Sequence, residues 1–105
     1  MFELKMWDIQ MRVVVGLGRA LCSVEGIYDI KCEKENTPYL TCAYNKDNPI
    51  FITIHIWKKV FQIQLTGAHK DLKVVYHVEG NVVLGIVDKL QSMLPPLDSI
   101  NAIKE

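Results

Sequence analysis

Three histidines and three cysteines are the side chains of this sequence that could bind a metal ion, because imidazole and thiolate are the usual ligands of zinc. Cys22, Cys32 and Cys42 are ten residues apart, which matches neither a CxxC motif nor a paired disulfide framework. His55 and His77 fall on two strands of the sheet predicted below with one strand between them, on the order of 11 Å apart. The sequence therefore predicts neither a metal site nor a cofactor.

The segment VVVGLGRAL, residues 13–21, could be the start of a dinucleotide-binding loop, in which a GxGxxG motif brings backbone amides to a pyrophosphate. Leu21 stands where the third glycine is required. The motif also needs a crossover helix and a second parallel strand, whereas the chain after Gly26 has antiparallel patterns. We expect the glycines to lie on a helix that packs against a sheet.

Cysteine or histidine catalysis needs a nucleophile, a base and an orienting group within reach of one another, and no such set is apparent in the sequence. Cys22, near the end of a predicted helix, would be reactive if exposed, but reduced thiols buried in the core of a cytoplasmic protein fit the cysteine spacing better. The sequence therefore indicates a protein that is not an enzyme. A ligand-binding or enzymatic domain with a cavity between helices and sheet is the alternative.

Composition indicates one domain over 1–105, with a core over about 9–94 and a C-terminal tail at 97–105, since half of the 105 residues are apolar. Twelve basic and twelve acidic side chains cancel, so nucleic-acid binding is not expected. The N-terminus has no signal-peptide pattern and no run of eighteen apolar residues occurs, which favours a cytoplasmic location.

The segment IFITIHIW, residues 50–57, alternates with the period of a strand and places its isoleucines on one face. The apolar phase resumes after Lys58 and Lys59, which predicts a hairpin with a two-residue connection. Its predicted pairs are Ile56 with Phe61, Ile54 with Ile63, and Ile52 with Leu65.

Three further segments, 27–34, 39–44 and 72–78, alternate in the same way, and the short connections predict an antiparallel meander of about five strands. The buried face is expected to carry Tyr28, Ile30 and Cys32 of the first of these, Leu40, Cys42 and Tyr44 of the second, and Leu72, Val74, Tyr76 and Val78 of the last. The last strand should pair Leu72 with Leu65, Val74 with Ile63, and Tyr76 with Phe61.

Two helices are predicted to cover that face, which makes the fold α+β in the order helix, strands, helix. The second spans 82–94, capped by Asn81 and ended by Pro95 and Pro96. The first spans about 9–24, with Asp8 as its cap and Gly26 as its end; three consecutive valines leave a partly extended segment as an alternative there. Its buried stripe is predicted to be Ile9, Val13, Leu17, Ala20, Leu21 and Val24.

The other face of the sheet is predicted to carry an aromatic and aliphatic set: Trp57, Val60, His77, His55 and Phe51. Aromatic residues rimmed by polar groups are typical of a binding surface. Coverage of this face by the first helix or by the tail is the competing interpretation. The sequence also leaves open a groove between helices and sheet.

The order of elements resembles the kinase-associated-1 domain, a small module of regulatory protein kinases. The segment LKVVYHVEGNVVLGIVDKLQSML, 72–94, is similar to the final strand and closing helix of that family, and YLTCAYNKDNPIFITIHIW, 39–57, to its central hairpin. The resemblance implies binding to anionic phospholipid or to a kinase domain. The lysines that would contact lipid are Lys58, Lys59, Lys46, Lys70 and Lys73.

The sequence as a whole predicts a non-catalytic interaction or regulatory module that binds a protein partner or a second copy of itself. Binding to an anionic membrane surface is the alternative that the resemblance implies.

Overall fold

The computed structural model shows a helix, five strands and a second helix in that order, and it describes residues 2–35, 37–57, 60–67, 71–77 and 81–97. The helices are α1, Phe2–Leu21, and α2, Val82–Met93. The strands are β1, Ile27–Glu33; β2, Tyr39–Tyr44; β3, Ile50–Trp57; β4, Val60–Gly67; and β5, Leu72–His77. The predicted α+β architecture is confirmed.

The five strands form one antiparallel meander in the order β1-β2-β3-β4-β5. The predicted hairpin register is confirmed, since Ile54 lies opposite Ile63 and Ile56 opposite Phe61. The register of β5 is confirmed as well, with Val74 opposite Ile63. Because side chains alternate along a strand, this register places every isoleucine of β3 on one face, which we call the inner face.

Strand β1 departs from the predicted alternation, because the register shifts between Tyr28 and Lys31 and Asp29 has a φ of 54°. Such a shift is a β-bulge, which reverses the face of the residues before it. Tyr28 pairs with Ala43 on the opposite, outer face, so its predicted inner position is wrong. Val78, the last predicted residue of the fifth strand, lies outside the described residues.

Both helices pack on the inner face and enclose one hydrophobic core. Leu17 and Leu21 of α1 and Ile86 and Leu90 of α2 are fully buried with the inner-face side chains of the sheet. Tyr44 extends the core toward the end of α2, where its hydroxyl donates a hydrogen bond to the carbonyl of Pro95. The molecule therefore has two layers, with the helices on one side of the sheet.

Helix α1 begins at Phe2, seven residues before the predicted start. Asp8 is therefore not a cap: it lies inside the helix and forms an ion pair with Arg12, one turn later, at 3.3 Å. Charged and long apolar residues at positions 3–6 are good helix formers and extend the helix past Asp8. Ile9 is 55% exposed rather than buried, and Val14, fully buried, takes its place in the stripe.

The two glycines of α1 allow close approach of two different neighbours. A Cβ on Gly18 would lie 3.4 Å from Sγ of Cys32 and 3.5 Å from Leu40, so this glycine faces the sheet. A Cβ on Gly16 would lie 3.6 Å from Val83 of α2. The missing side chains at these positions thus let α1 approach β1, β2 and α2 closely. This agrees with the prediction that the glycines lie on a helix that packs against a sheet.

Helix α2 begins where the sequence predicts. The side chain of Asn81 accepts a hydrogen bond from the amide of Leu84 at 3.1 Å, which satisfies one of the free amides of the first turn. Leu94 ends the helix with extended backbone angles, because the two prolines that follow cannot continue it.

Candidate functional site

The outer face of the sheet is open within the described part of the chain, since both helices lie on the inner side. Phe51 is 55% exposed, Trp57 41% and Val75 58%. Large apolar side chains on an open sheet face are uncommon unless the face binds something. Both helices thus lie on the other side of the sheet from Trp57, so the interpretation that α1 covers this face is wrong. The tail, which was the other element considered to cover it, lies outside the described residues from 98 onward.

Three rings form a column on this face. The Tyr39 ring on β2 stacks on His55 of β3 with centroids 4.8 Å apart, and His55 stacks on Trp57 with centroids 5.7 Å apart and planes 11° from parallel. Tyr39 and His55 are directly opposite each other in the β2–β3 register, and Trp57 follows His55 by two residues on the same face. The column is fixed by strand pairing rather than by a flexible loop.

The column is continuous with aliphatic side chains toward β5. Trp57 lies opposite Val60, and Val60 opposite His77, which gives one row across β3, β4 and β5. The neighbouring row contains His55 and Val75, with Gln62 between them. We call the combined surface the outer patch; its members are Tyr39, His55, Trp57, Val60, Val75 and His77.

The surroundings of His55 in the outer patch disfavour its charged form. Partial burial lowers its pKa below the ordinary value of 6.5, and the positive charge of Lys73 lowers it further. Both causes penalise the imidazolium. The centre of the outer patch is thus an aromatic surface that disfavours positive charge on His55, with Lys73 at its margin on β5.

Four of the five residues that the sequence predicted for partner binding come together in the outer patch: Trp57, Val60, His77 and His55. Phe51 does not join them. It lies six residues from Trp57 along β3, about 20 Å away at the rise of a strand, beside Thr66 and Ala43.

Sequence reasoning missed Tyr39 and Val75 as members of the site. Tyr39 could have been found from the turn at 45–49, because pairing Tyr44 with Ile50 places Tyr39 opposite His55. Val75 could have been included as well, because the predicted pairing puts it in the row of His55 and Gln62 on the last strand of the sheet.

The lysines that the resemblance assigned to lipid binding divide into two groups. Lys58, Lys59 and Lys70 lie outside the described residues. Lys46 is in the β2–β3 turn, with its Nζ 5.5 Å from the ring centroid of Tyr28, whereas Lys73 is on β5, three strands from β2 and at least about 14 Å away. No helix among the described residues is long and apolar enough to cross a bilayer. Lipid binding stays a prediction.

The three cysteines are free thiols in three different environments. Burial raises the pKa of Cys42 to about 12, and burial also raises the pKa of Cys32, whose Sγ lies 3.8 Å from the carbonyl of Val14. Cys22 is exposed, so its predicted place in the core is wrong. In the portion of the chain that the structure describes, no three His, Cys, Asp or Glu side chains are grouped to hold a metal.

Three surface clefts are lined entirely by described residues, and each lies away from the outer patch. One of about 250 Å³ lies between the end of α2 and Tyr44, one of about 300 Å³ lies along α1 around Met11 and Arg12, and one of about 340 Å³ lies beside Gly26 and Lys46. Fully buried side chains fill the space between the helices and the sheet. The outer patch is therefore the strongest candidate for a functional surface.

No protein-family model matches this chain, and no curated protein or solved structure matches it at a significant level.

Proposed function

We propose that this protein is a non-catalytic interaction module that binds a protein partner through the outer patch. The observation that carries the proposal is the stacked column of Tyr39, His55 and Trp57 on a sheet face that the helices leave open. Aromatic side chains with one exposed side are the anchors that protein interfaces favour, because they bury a large area with little loss of side-chain freedom.

The chemistry of the outer patch defines the partner surface that fits it. The neutral imidazole of His55 and the exposed side chains of Trp57 and Val75 favour apolar contacts. The charge at the β5 margin of the outer patch is the ammonium of Lys73, which favours acidic groups around the apolar contact. The partner is thus a protein surface with an apolar centre and acidic side chains at its rim.

The test uses a photo-crosslinking amino acid placed at Trp57, with the same group at Arg12 on the helical side as the matched control. A discrete adduct formed from Trp57 and absent from Arg12 identifies a partner, which is then purified and titrated against the wild-type protein. Saturable binding that Trp57→Ser weakens at least about tenfold supports the proposal, since loss of a central aromatic anchor costs about 2 kcal/mol or more.

Phe51→Ser serves as the second control, because Phe51 is exposed on the same face about 20 Å from Trp57. The affinity of the Phe51→Ser variant for the partner should stay close to the wild-type value. If Trp57→Ser binds as tightly as the wild type, or if the adduct forms equally from Arg12, the outer patch is not the binding surface.

A further inference from the structure

Strand β5 is an edge of the sheet. All six of its residues pair with β4, and within the described ranges no other strand pairs with its second side. An edge strand presents a row of free amides and carbonyls, which natural proteins block with bulges, charges, prolines or a covering element.

The opposite edge, β1, is blocked in this way, whereas β5 has no bulge, proline or covering element in the part of the chain that the structure describes. In β1 the register shift after Tyr28 and the left-handed Asp29 interrupt the strand, and α1 packs along it. Strand β5 pairs without a register shift from Leu72 to His77 and contains neither proline nor glycine. Its only lysine is Lys73. A regular, unblocked edge is suited to adding another strand.

Both faces of β5 carry exposed apolar side chains. Leu72 on the inner face is 44% exposed and Val75 on the outer face is 58% exposed, although neighbouring strands bury their inner-face side chains almost completely. Tyr76 on the inner face contacts Phe61 and the ammonium of Lys89, so the helical layer reaches it. A strand added beside β5 would cover the apolar groups that remain exposed at this edge.

We propose that a second copy of this chain supplies that strand, so that two β5 strands pair antiparallel about a two-fold axis at Val74. This inference concerns the free edge of β5, which shares Val75 and His77 with the outer patch, and it does not depend on the proposed partner. A two-fold axis makes the contact self-complementary, and two meanders join into one continuous sheet of ten strands.

Side-chain pairing and face select the register. Residues opposite each other in an antiparallel pair lie on the same face, which leaves two central registers for a strand of this length. With the axis at Val75, Leu72 would have no partner within β5 of the second copy, and Lys73 would lie opposite the polar ring of His77 of the second copy. With the axis at Val74, Lys73 lies opposite Val75 of the second copy and Leu72 opposite Tyr76 of the second copy. The second register therefore covers the exposed side chains of Leu72 and Val75 in both copies.

The contact is small, because it consists of two six-residue strands and their side chains. Interfaces well below about 1,200 Å² of total buried area are typical of weak, reversible association. We therefore expect a dimer whose population rises with protein concentration.

Sedimentation equilibrium over a wide concentration range measures this association directly. Val75→Lys should raise the dissociation constant roughly tenfold, because the lysine at position 75 of each copy then lies opposite Lys73 of the other copy. The substitution is at an exposed position, so the fold should be retained. Val75→Thr, which keeps the branched shape without a charge, is the matched control and should stay near the wild-type value.

Adding Lys73→Glu to the Val75→Lys variant should restore the dimer, because each lysine at position 75 then meets a glutamate of the other copy. Trp57→Ser should leave the dissociation constant of the dimer unchanged, which separates this contact from the aromatic column of the outer patch. A wild-type protein that is monomeric at every concentration overturns the proposal. A dimer insensitive to Val75→Lys, or a double variant that is not restored, overturns it as well.

Discussion

The imidazole of His55 stacks on the phenol ring of Tyr39 in the neighbouring strand, with the ring centroids 4.8 Å apart and the planes 29° from parallel. On its other side the same imidazole stacks on Trp57 at 5.7 Å. A titratable group thus lies between two aromatic rings at the centre of the outer patch. Its protonation state is therefore coupled to the packing of the column and to the stability of the fold.

The stability of the protein should fall as the pH is lowered through the titration of His55. Burial, and then Lys73, depress the folded-state pKa below 6.5, so the unfolded chain binds more protons in the range just below that value. The contribution of neutral His55 to the free energy of unfolding is fully present above pH 6.5, and it is lost as the pH falls through the folded-state pKa. Urea unfolding of the wild type and of His55→Gln at a series of pH values measures how the free energy of unfolding changes with pH. This change should be smaller in the variant.

Nuclear magnetic resonance titration of the His55 ring gives an independent measurement. The folded-state pKa should lie below 6.5 and should rise in Lys73→Met, where one of its two causes is removed. A midpoint at or above 6.5 in the wild type would contradict this account of the outer patch.

Ile54 and Thr53 are adjacent on β3 but point to opposite faces. Substituting each of them therefore compares how much the two faces contribute to the free energy of unfolding. Ile54 is fully buried, and Ile54→Ala should reduce the free energy of unfolding by about 2–5 kcal/mol, because a cavity remains where the side chain was. Thr53→Ala on the outer face should cost less than about 1 kcal/mol. Urea unfolding measures both. Equal losses would show that the outer face is also packed.

Most of the fold could be predicted because the isoleucine strand and its neighbours agree in phase. A shift of one residue in β3 would have exposed Ile50, Ile52, Ile54 and Ile56 together, so the hydrophobic effect permits one register only. The bulge at Asp29 could not be predicted in this way. Asp29 has no turn motif around it, and the alternation of Tyr28 with Ile30 looks regular although the backbone between them is not.

The start of α1 was missed because a good cap residue is not always a cap. Asp8 is preceded by residues with high helix propensity, and inside the helix it pairs with Arg12 instead of accepting from free amides. The candidate site was predicted in part, since Trp57 and His55 lie on one strand. Its full extent needed the pairing of β2 with β3, which brought Tyr39 to His55.

Gly67 and Gly16 should respond in opposite directions to the same substitution. Gly67 has a φ of 99°, and an added Cβ would lie 2.7 Å from the carbonyl oxygen of Pro49, so Gly67→Ala should cost about 1–3 kcal/mol. At Gly16 the Cβ would have an ordinary contact of 3.6 Å with Val83, so Gly16→Ala should gain up to about 1 kcal/mol of helix propensity. Thermal and urea unfolding measure both changes. A loss of stability in Gly16→Ala would mean that α1 and α2 pack more tightly than the structure shows.

The three thiols should react with a disulfide reagent in the order of their exposure. Cys22 is exposed and should react first, Cys32 is half-buried and should react slowly, and Cys42 should stay unreacted in the folded protein. Burial raises the pKa of Cys42 to about 12, and the thiolate is the reactive form of cysteine. At neutral pH its thiolate fraction is on the order of 10⁻⁵ before the barrier to reagent access is counted.

Counting modified thiols over time in native protein and in denaturant measures this order. Cys22→Ser should remove the fast phase and leave the slow one, whereas Cys42→Ser should change only the count in denaturant. A fast phase that survives Cys22→Ser would mean that β1 separates from α1 in solution, because the Sγ of Cys32 lies against the helix at Val14 and Gly18. In that case the bulged edge of the sheet would open in the folded protein and expose Cys32 to the reagent.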